Sequence, residues 1–259
     1  MNPIDSTKKI LGGVLITLVV NVSAYAGIDN MADAVNKAGQ QRMITQRMLK
    51  DYALIGMNNI YGDPKKDLPE MLKLFDTNLN ELKGFIKDKP SLESLDEISA
   101  LWEPIKKTLQ EVPSKDKVVK LQEDLEALLN SANKSTGMIM KSSGKASSEI
   151  VNTAGKQRML SQRMASLYML KVWDITDPKF EEKLTKAMDE FSQAHETLLA
   201  SKLNTDEIKV LLENTGMAFM FFEMSRESKS KRYVPSLINK SATKILTNMN
   251  TETQLYSKK

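Results

Sequence analysis

The chain has 259 residues, enough for one or two domains, and its 41% of hydrophobic and 27% of charged residues are typical of a globular protein. It contains no cysteine, which excludes disulfides, thiolate metal sites and a thiol nucleophile, and its single histidine cannot form a histidine cluster. The 37 basic and 33 acidic residues give a net charge of +4, too small to favour nucleic acid or a membrane surface as a partner.

The N-terminus has the pattern of an export signal. Lys8 and Lys9 precede an apolar run over 10–22, and Ala24 and Ala26 form a small-x-small cleavage pattern. The apolar run is shorter than the roughly 20 residues that a membrane span needs. We therefore predict a signal peptide over 1–26 and a periplasmic protein. The alternative is an uncleaved segment that anchors the protein to the inner membrane.

Apolar residues at steps of three and four predict four helices in the first half of the remaining chain. Gly62-Asp63-Pro64 ends the first of these helices, and Pro104 is expected to kink or break the third. Ser91 is the predicted N-cap of the third helix. The first helix is predicted from Gly27 to about Tyr61 and the second from about Leu68 to Lys89. The third is predicted to begin at Ser91 and the fourth after Ser114.

The second half repeats this plan. NKAGQQRMITQRM at Asn36–Met48 recurs 116 residues later as NTAGKQRMLSQRM at Asn152–Met164, with four differences. Similar helices and turns follow each copy. We predict an all-α fold of two tandem four-helix, up-down-up-down bundles, produced by internal duplication and spanning 27–143 and 144–259.

Each copy of the repeated string places small residues one turn before an arginine. On a helix, Gly39 and Gln46 lie on the same face as Arg42, one turn to either side. The glycine costs about 0.5 to 1 kcal/mol relative to alanine, which indicates that something approaches closely there. Two such arginines facing each other would repel unless a small, flat oxyanion lay between them. The corresponding residues of the second copy are Gly155, Arg158 and Gln162.

A structural interpretation of the same string stays open, in which the glycines only allow tight packing and the arginines form buried ion pairs. Arg47 and Arg163 lie about 140° around the helix from the first arginine and are expected to face acidic residues or solvent. His195 is predicted at the surface. The sequence contains no nucleophile–base pair, metal cluster or phosphate loop, so we expect no enzyme, no cofactor and no metal.

The pattern N-x-A-G-x-Q-R-M-[IL]-[ST]-Q-R, present at 36–47 and 152–163, resembles the signature of PilJ-type and nitrate/nitrite-sensor periplasmic domains. This resemblance implies a four-helix sensor bundle that dimerises through its first helix and holds one nitrate or nitrite between two arginines. Those arginines match Arg42 and Arg158. The glycines and asparagines of the family match Gly39, Gly155, Asn36 and Asn152.

Two functions are therefore considered. The first is a periplasmic protein that binds a small anion and reports to a separate membrane signalling protein, since receptors of this type usually carry a signalling module that this sequence does not contain. The second is a ligand-free helical scaffold or interaction module of the envelope or the type IV pilus.

The pairing of the motifs is also open. A hairpin at 142–145 would pair them within one chain. A continuous helix there would stack the bundles end to end, and each motif would pair with a second chain in a homodimer.

Overall fold

The computed structural model describes residues 27–143, 147–227 and 233–258, and this part of the chain forms helices and no strands, which confirms the all-α prediction. The predicted signal peptide, and residues 144 and 145 of the predicted hairpin, lie outside the described residues. The helices are α1 (Met31–Gly56), α2 (Pro64–Phe85), α3 (Lys89–Gln110), α4 (Lys115–Ser143), α5 (Ser147–Val172), α6 (Pro178–Leu199), α7 (Asp206–Glu227) and α8 (Pro235–Ser257).

Polar caps and prolines set where several helices begin. The side chain of Asn30 accepts hydrogen bonds from the backbone N–H groups of Ala32 and Asp33 and so caps α1. Pro64 and Pro178 open α2 and α6, where the missing N–H of proline costs nothing. The two halves therefore use the same Asp-Pro signal after their motif helices.

The third helix differs from the sequence prediction in two ways. Asp88 rather than Ser91 caps it, because the Asp88 carboxylate accepts the Ser91 backbone N–H at 3.0 Å and the helix already begins at Lys89. The helix also continues through Pro104 without a break. Pro104 and Ala100, whose carbonyl loses its helical partner, are both exposed, so water can satisfy that carbonyl.

Each half closes into a four-helix bundle. In the first, α1 and α3 each pack against both α2 and α4, and in the second, α5 and α7 each pack against both α6 and α8. Apolar stripes from all of these helices are buried between them, with Trp102, Phe75, Phe191 and Phe222 among the largest fully buried side chains. This is the packing that periodic apolar stripes and short loops favour.

The two bundles join through α1 and α5, which form the most extensive helix–helix contact in the described part of the chain. Gly39 on α1 lies beside Arg158 on α5, and further along both helices Gly56 lies beside Trp173, just beyond the end of α5. The two helices are therefore parallel and in register. Each of them contacts helices of both bundles. For this reason α1 is buried along most of its length, and its buried residues include polar ones. Within the described residues, no helix combines the length and the apolar character that crossing a membrane requires.

Candidate functional site

Arg42 and Arg158 meet where α1 and α5 pack together. A Cβ placed on Gly155 would lie 3.2 Å from Nη2 of each arginine, so these two atoms are no more than twice that distance apart. A Cβ on Gly39 would lie 3.1 Å from Nη2 of Arg42 and 3.4 Å from Nη2 of Arg158. The two motifs of one chain thus pair with each other, which is the hairpin arrangement and not the end-to-end one.

The glycines make room for the guanidinium groups. The nearest atoms to a Cβ at either position are those arginine nitrogens, at distances shorter than ordinary van der Waals contact. Helical side chains lean toward the N-terminus of their helix, which brings each arginine back over the glycine one turn earlier. The helix-interior glycine, unfavourable for the helix itself, is therefore explained by the arginine pair.

An asparagine from the last helix of each bundle holds the outer side of each arginine. Nη1 of Arg42 donates to Oδ1 of Asn133 on α4 at 3.3 Å, and Nη1 of Arg158 donates to Oδ1 of Asn250 on α8 at 3.1 Å. The sequence interpretation missed both asparagines. Asn133 follows Arg42 by 91 residues and Asn250 follows Arg158 by 92, so the 116-residue repeat does not align the two asparagines and gave no signal for them.

The inner side of the pair is asymmetric. Nη2 of Arg158 donates to the side-chain oxygen of Asn36 at 2.8 Å and to its backbone oxygen at 3.4 Å. The corresponding Oδ1 of Asn152 has no hydrogen-bond partner among the described residues, and neither do Nε and Nη2 of Arg42 nor Nε of Arg158. Arg158 is thus held by the opposite helix, whereas Arg42 presents unpaired donors to the centre of the site.

The site concentrates buried positive charge. Arg42 is 4% exposed and Arg158 1% exposed, and neither forms an ion pair with an acidic residue in the described part of the chain. Burial lowers the pKa of Arg42 to about 10, and burial together with repulsion from Arg42 lowers the pKa of Arg158 to about 9. Both guanidinium groups therefore remain charged at neutral pH, and at about 6 Å they repel by on the order of 3 kcal/mol at an effective dielectric of 20.

The remaining predicted site residues, Gln46 and Gln162, lie one turn further along the two helices. Nε2 of Gln46 donates to Oγ1 of Thr45 at 3.2 Å, and Nε2 of Gln162 donates to the backbone oxygen of Ala242 at 3.2 Å. No described hydrogen bond joins either glutamine to the arginine pair. Oε1 of Gln162 is buried without a partner. A role for the glutamines in ligand binding stays a prediction.

The second arginine of each motif binds an acidic residue, as the helical angle predicts. Arg47 donates from Nε and Nη2 to both oxygens of Asp67 on α2, at 2.6 and 2.5 Å. Arg163 reaches across the bundle boundary and pairs with Glu126 on α4 at 2.9 Å. These two arginines therefore connect helices and take no part in the central pair.

A groove with a volume of about 490 Å³ lies between α4, α5 and α6, next to the arginine pair. Asn133, whose side chain accepts the hydrogen bond from Arg42, lines this groove together with Arg163 and Lys183. Asn133 therefore connects the guanidinium of Arg42 to the wall of this groove.

Two other titratable residues are buried away from this site. His195 is half-buried and stacks on Phe191 with ring centres 6.1 Å apart, so its predicted surface position is wrong, and burial lowers its pKa. A Cβ on the facing Gly216 would lie 3.3 Å from its Nε2, so the glycine on α7 makes room for the ring.

Glu252 on α8 is fully buried, and burial raises its pKa to about 8. Among the described residues, no group of three or more histidine or acidic side chains could hold a metal ion.

The family comparison covers both copies of the motif. The family model described as Type IV pili methyl-accepting chemotaxis transducer N-term (PilJ) matches residues 24–133 and 139–212, more than half of the chain. No curated protein and no solved structure matches the chain. PilJ domains are sensory domains of chemotaxis transducers and are typically non-catalytic. Both arginine motifs, and the α1–α5 contact that joins them, lie within the matched residues, and the chain belongs to the PilJ family.

Proposed function

We propose that the chain is a non-enzymatic sensory protein that binds one small, flat oxyanion, nitrate or nitrite, between Arg42 and Arg158. The observation that carries this proposal is the pair of buried guanidinium groups with unpaired donor atoms and no acidic partner in the described part of the chain. An unpaired buried charge costs several kcal/mol. An anion between the two groups would turn their repulsion into attraction.

The shape of the site favours a planar ligand of a few atoms. Guanidinium groups offer flat forks of N–H donors, which match the in-plane lone pairs of a planar oxyanion. Both guanidinium ends lie close against the glycines, within 3.4 Å of where a Cβ would stand, which favours a small ligand. Nitrate has four heavy atoms, and the best very small ligands gain about −1.5 kcal/mol per atom, so we expect a dissociation constant in the tens of micromolar or weaker.

The proposal includes export to the periplasm and a separate membrane protein that receives the signal. The basic and apolar pattern over 1–26 supports export. The intact mass of the protein recovered from the periplasm tests this part, because cleavage after Ala26 removes a defined segment. A mass that retains residues 1–26 would instead support the anchored form.

Calorimetry tests the binding site. Nitrate and nitrite titrated into the wild-type protein should give one anion per chain, and Arg42→Ala and Arg158→Ala should each abolish the heat. Arg226→Ala is the matched control, because Arg226 is an exposed arginine that pairs with Asp189 away from the site. Sulfate, which is tetrahedral and doubly charged, should bind more weakly than nitrate.

The same titration separates the proposal from the ligand-free scaffold. An absence of heat with all three anions would favour a scaffold whose motif only packs α1 against α5. Two anions per chain, or one anion per two chains in a dimer, would contradict a single site formed by both halves of one chain.

A further inference from the structure

The outer face of α7 carries a row of large apolar side chains exposed to solvent. Met217 and Met224 are 56% and 61% exposed, Val210 and Met220 are 55% exposed, and Phe221 is 39% exposed. Isolated exposed apolar residues are ordinary, but a continuous patch usually marks an interaction site. We call these five residues the α7 ridge.

The first bundle provides an internal comparison. Ile98 on α3 and Ile208 on α7 are equivalent buried positions, as are Leu109 and Phe219, so the two helices can be aligned directly. The exposed residues of the first bundle that correspond to Val210, Met217, Met220 and Phe221 are Ala100, Lys107 and Gln110 on α3, and Glu111 just after it. The bundle therefore does not require an apolar surface here. The ridge is a property of the second half alone.

The ridge has the spacing of a helix–helix seam. Val210, Met217, Phe221 and Met224 of the ridge, with the polar Asn214 between the first two, follow one another at alternating steps of four and three residues. This is the spacing at which one helix packs lengthwise against another. Methionine adapts its shape to varied partners and is common on surfaces that bind helices. The natural occupant is thus another amphipathic helix.

Acidic residues flank the ridge on both sides. Glu207 lies on one flank, and Glu213 and Glu223 lie on the other. The basic residues of α7 are already paired, Lys209 with Asp206 at 3.0 Å and Arg226 with Asp189 at 3.2 Å. The apolar seam therefore has an acidic rim. This rim repels anionic lipid, which disfavours a membrane surface as the occupant.

A second copy of the chain also fits poorly. Packed antiparallel, two α7 helices would set the flank of Glu213 and Glu223 against the same flank of the other copy. Packed parallel, the flank of Glu213 and Glu223 in one copy would have to meet the opposite flank of the other copy, which carries Leu211 and Ala218. Ala218 is only 7% exposed because its own bundle covers it. We propose that the α7 ridge docks a basic amphipathic helix of a partner protein, with lysine or arginine side chains beside the acidic rim.

A pair of synthetic peptides tests this proposal on the whole protein. One peptide of about three heptads carries leucine at the seam positions and lysine on both flanks, and the other replaces each lysine by glutamate. Fluorescence anisotropy should show the lysine peptide binding at least about tenfold more tightly than the glutamate peptide. Binding should weaken as salt is raised, because the rim charges are exposed.

Variants of both bundles locate the binding. Replacing Met217, Phe221 and Met224 together by serine should weaken the binding of the lysine peptide by at least about tenfold. Circular dichroism should show that this variant stays folded. The matched control changes Ala100, Lys107 and Gln110 to serine on the equivalent face of α3 and should leave binding unchanged. Equal binding of the two peptides, or no loss in the α7 variant, would overturn the proposal. A dimer that sedimentation detects and that the α7 variant abolishes would also overturn the proposal. The same holds for binding to phosphatidylglycerol vesicles that is lost in the α7 variant.

Discussion

Arg42 and Arg158 occupy equivalent places in the two halves, yet they have different hydrogen bonds. Arg158 donates a hydrogen bond to Asn36 on the opposite helix. The corresponding bond between Arg42 and Asn152 is not formed, and Oδ1 of Asn152 and Nη2 of Arg42 have no partner among the described residues. A symmetric arrangement would give each arginine a second asparagine, from the opposite motif helix, and leave fewer free donors. The asymmetry thus leaves Nε and Nη2 of Arg42 without partners among the described residues, and these are the donors that the proposed anion would bind.

Removal of each asparagine tests this asymmetry. Without anion, Asn36→Ala should destabilise the protein by about 1 to 3 kcal/mol, because it leaves a buried, charged donor of Arg158 with only the longer bond to the backbone oxygen of residue 36. Asn152→Ala removes an oxygen that has no partner and should change stability by less than about 0.5 kcal/mol. Urea unfolding measures both, and saturating nitrate should reduce the loss in Asn36→Ala. Equal losses from the two variants would mean that the arginines exchange roles in solution.

Glu252 makes the second half sensitive to pH. Burial raises its pKa from the ordinary 4.5 to about 8. Between these values the folded protein holds a proton that the unfolded chain has lost, so stability falls as pH rises through this range. We expect Glu252→Gln to match the wild type near pH 5 and to be more stable by several kcal/mol at pH 9. Thermal unfolding at both pH values measures the difference, and parallel profiles of the two proteins would contradict it.

At the scale of elements, the contact between α1 and α5 has two separate anchors. One is the arginine pair over Gly39 and Gly155. The other is Trp173, which packs on Gly56 of α1 and meets the ring of Tyr52 edge-on at 6.2 Å. The motif residues repeat in both halves, but the glycine–tryptophan contact occurs once, since residue 57 of the first half is methionine.

Gly56→Ala should weaken the contact between the bundles. A Cβ at this position would overlap three atoms of the buried Trp173 ring, and such overpacking costs about 1 to 3 kcal/mol. Gly84→Ala is the control, because nothing lies within 4 Å of a Cβ there and alanine favours the helix. Urea unfolding should therefore show a loss for the first variant and none for the second. A loss of similar size in Gly84→Ala would assign the effect to something other than the tryptophan.

The helices, and the glycine beside each arginine, could be predicted because their signals are local. Apolar periodicity located the helices, and the 3.6-residue turn placed Gly39 beside Arg42. The asparagine ligands of the arginines could not be found in this way, because Asn133 and Asn250 are related by 117 residues and the motif copies by 116. Different loop lengths within the second half move its last helix by one residue relative to the motif, and the packing of α4 and α8 reveals this shift.

At the scale of the whole molecule, duplication lets one chain supply both walls of the site. The sequence left two arrangements open, because the glycines and serines near residue 144 favour a turn only moderately over a continuous helix. Packing separates them, since α1 and α5 lie side by side in the most extensive helix–helix contact of the described residues and bring Arg42 and Arg158 together. A pair formed within one chain loses no translational freedom on assembly, so the site does not depend on protein concentration.

A ligand held by both bundles should stabilise them together. At a nitrate concentration 100 times the dissociation constant, binding adds about 2.7 kcal/mol, which corresponds to about 5 to 10 °C in the unfolding temperature of a protein of this size. Scanning calorimetry with nitrate, against chloride at equal ionic strength, should show one transition that shifts as a unit. Arg42→Ala and Arg158→Ala should each remove the shift, because each deletes one wall of the site. Two transitions of which only one responds to nitrate would mean that a single bundle holds the anion.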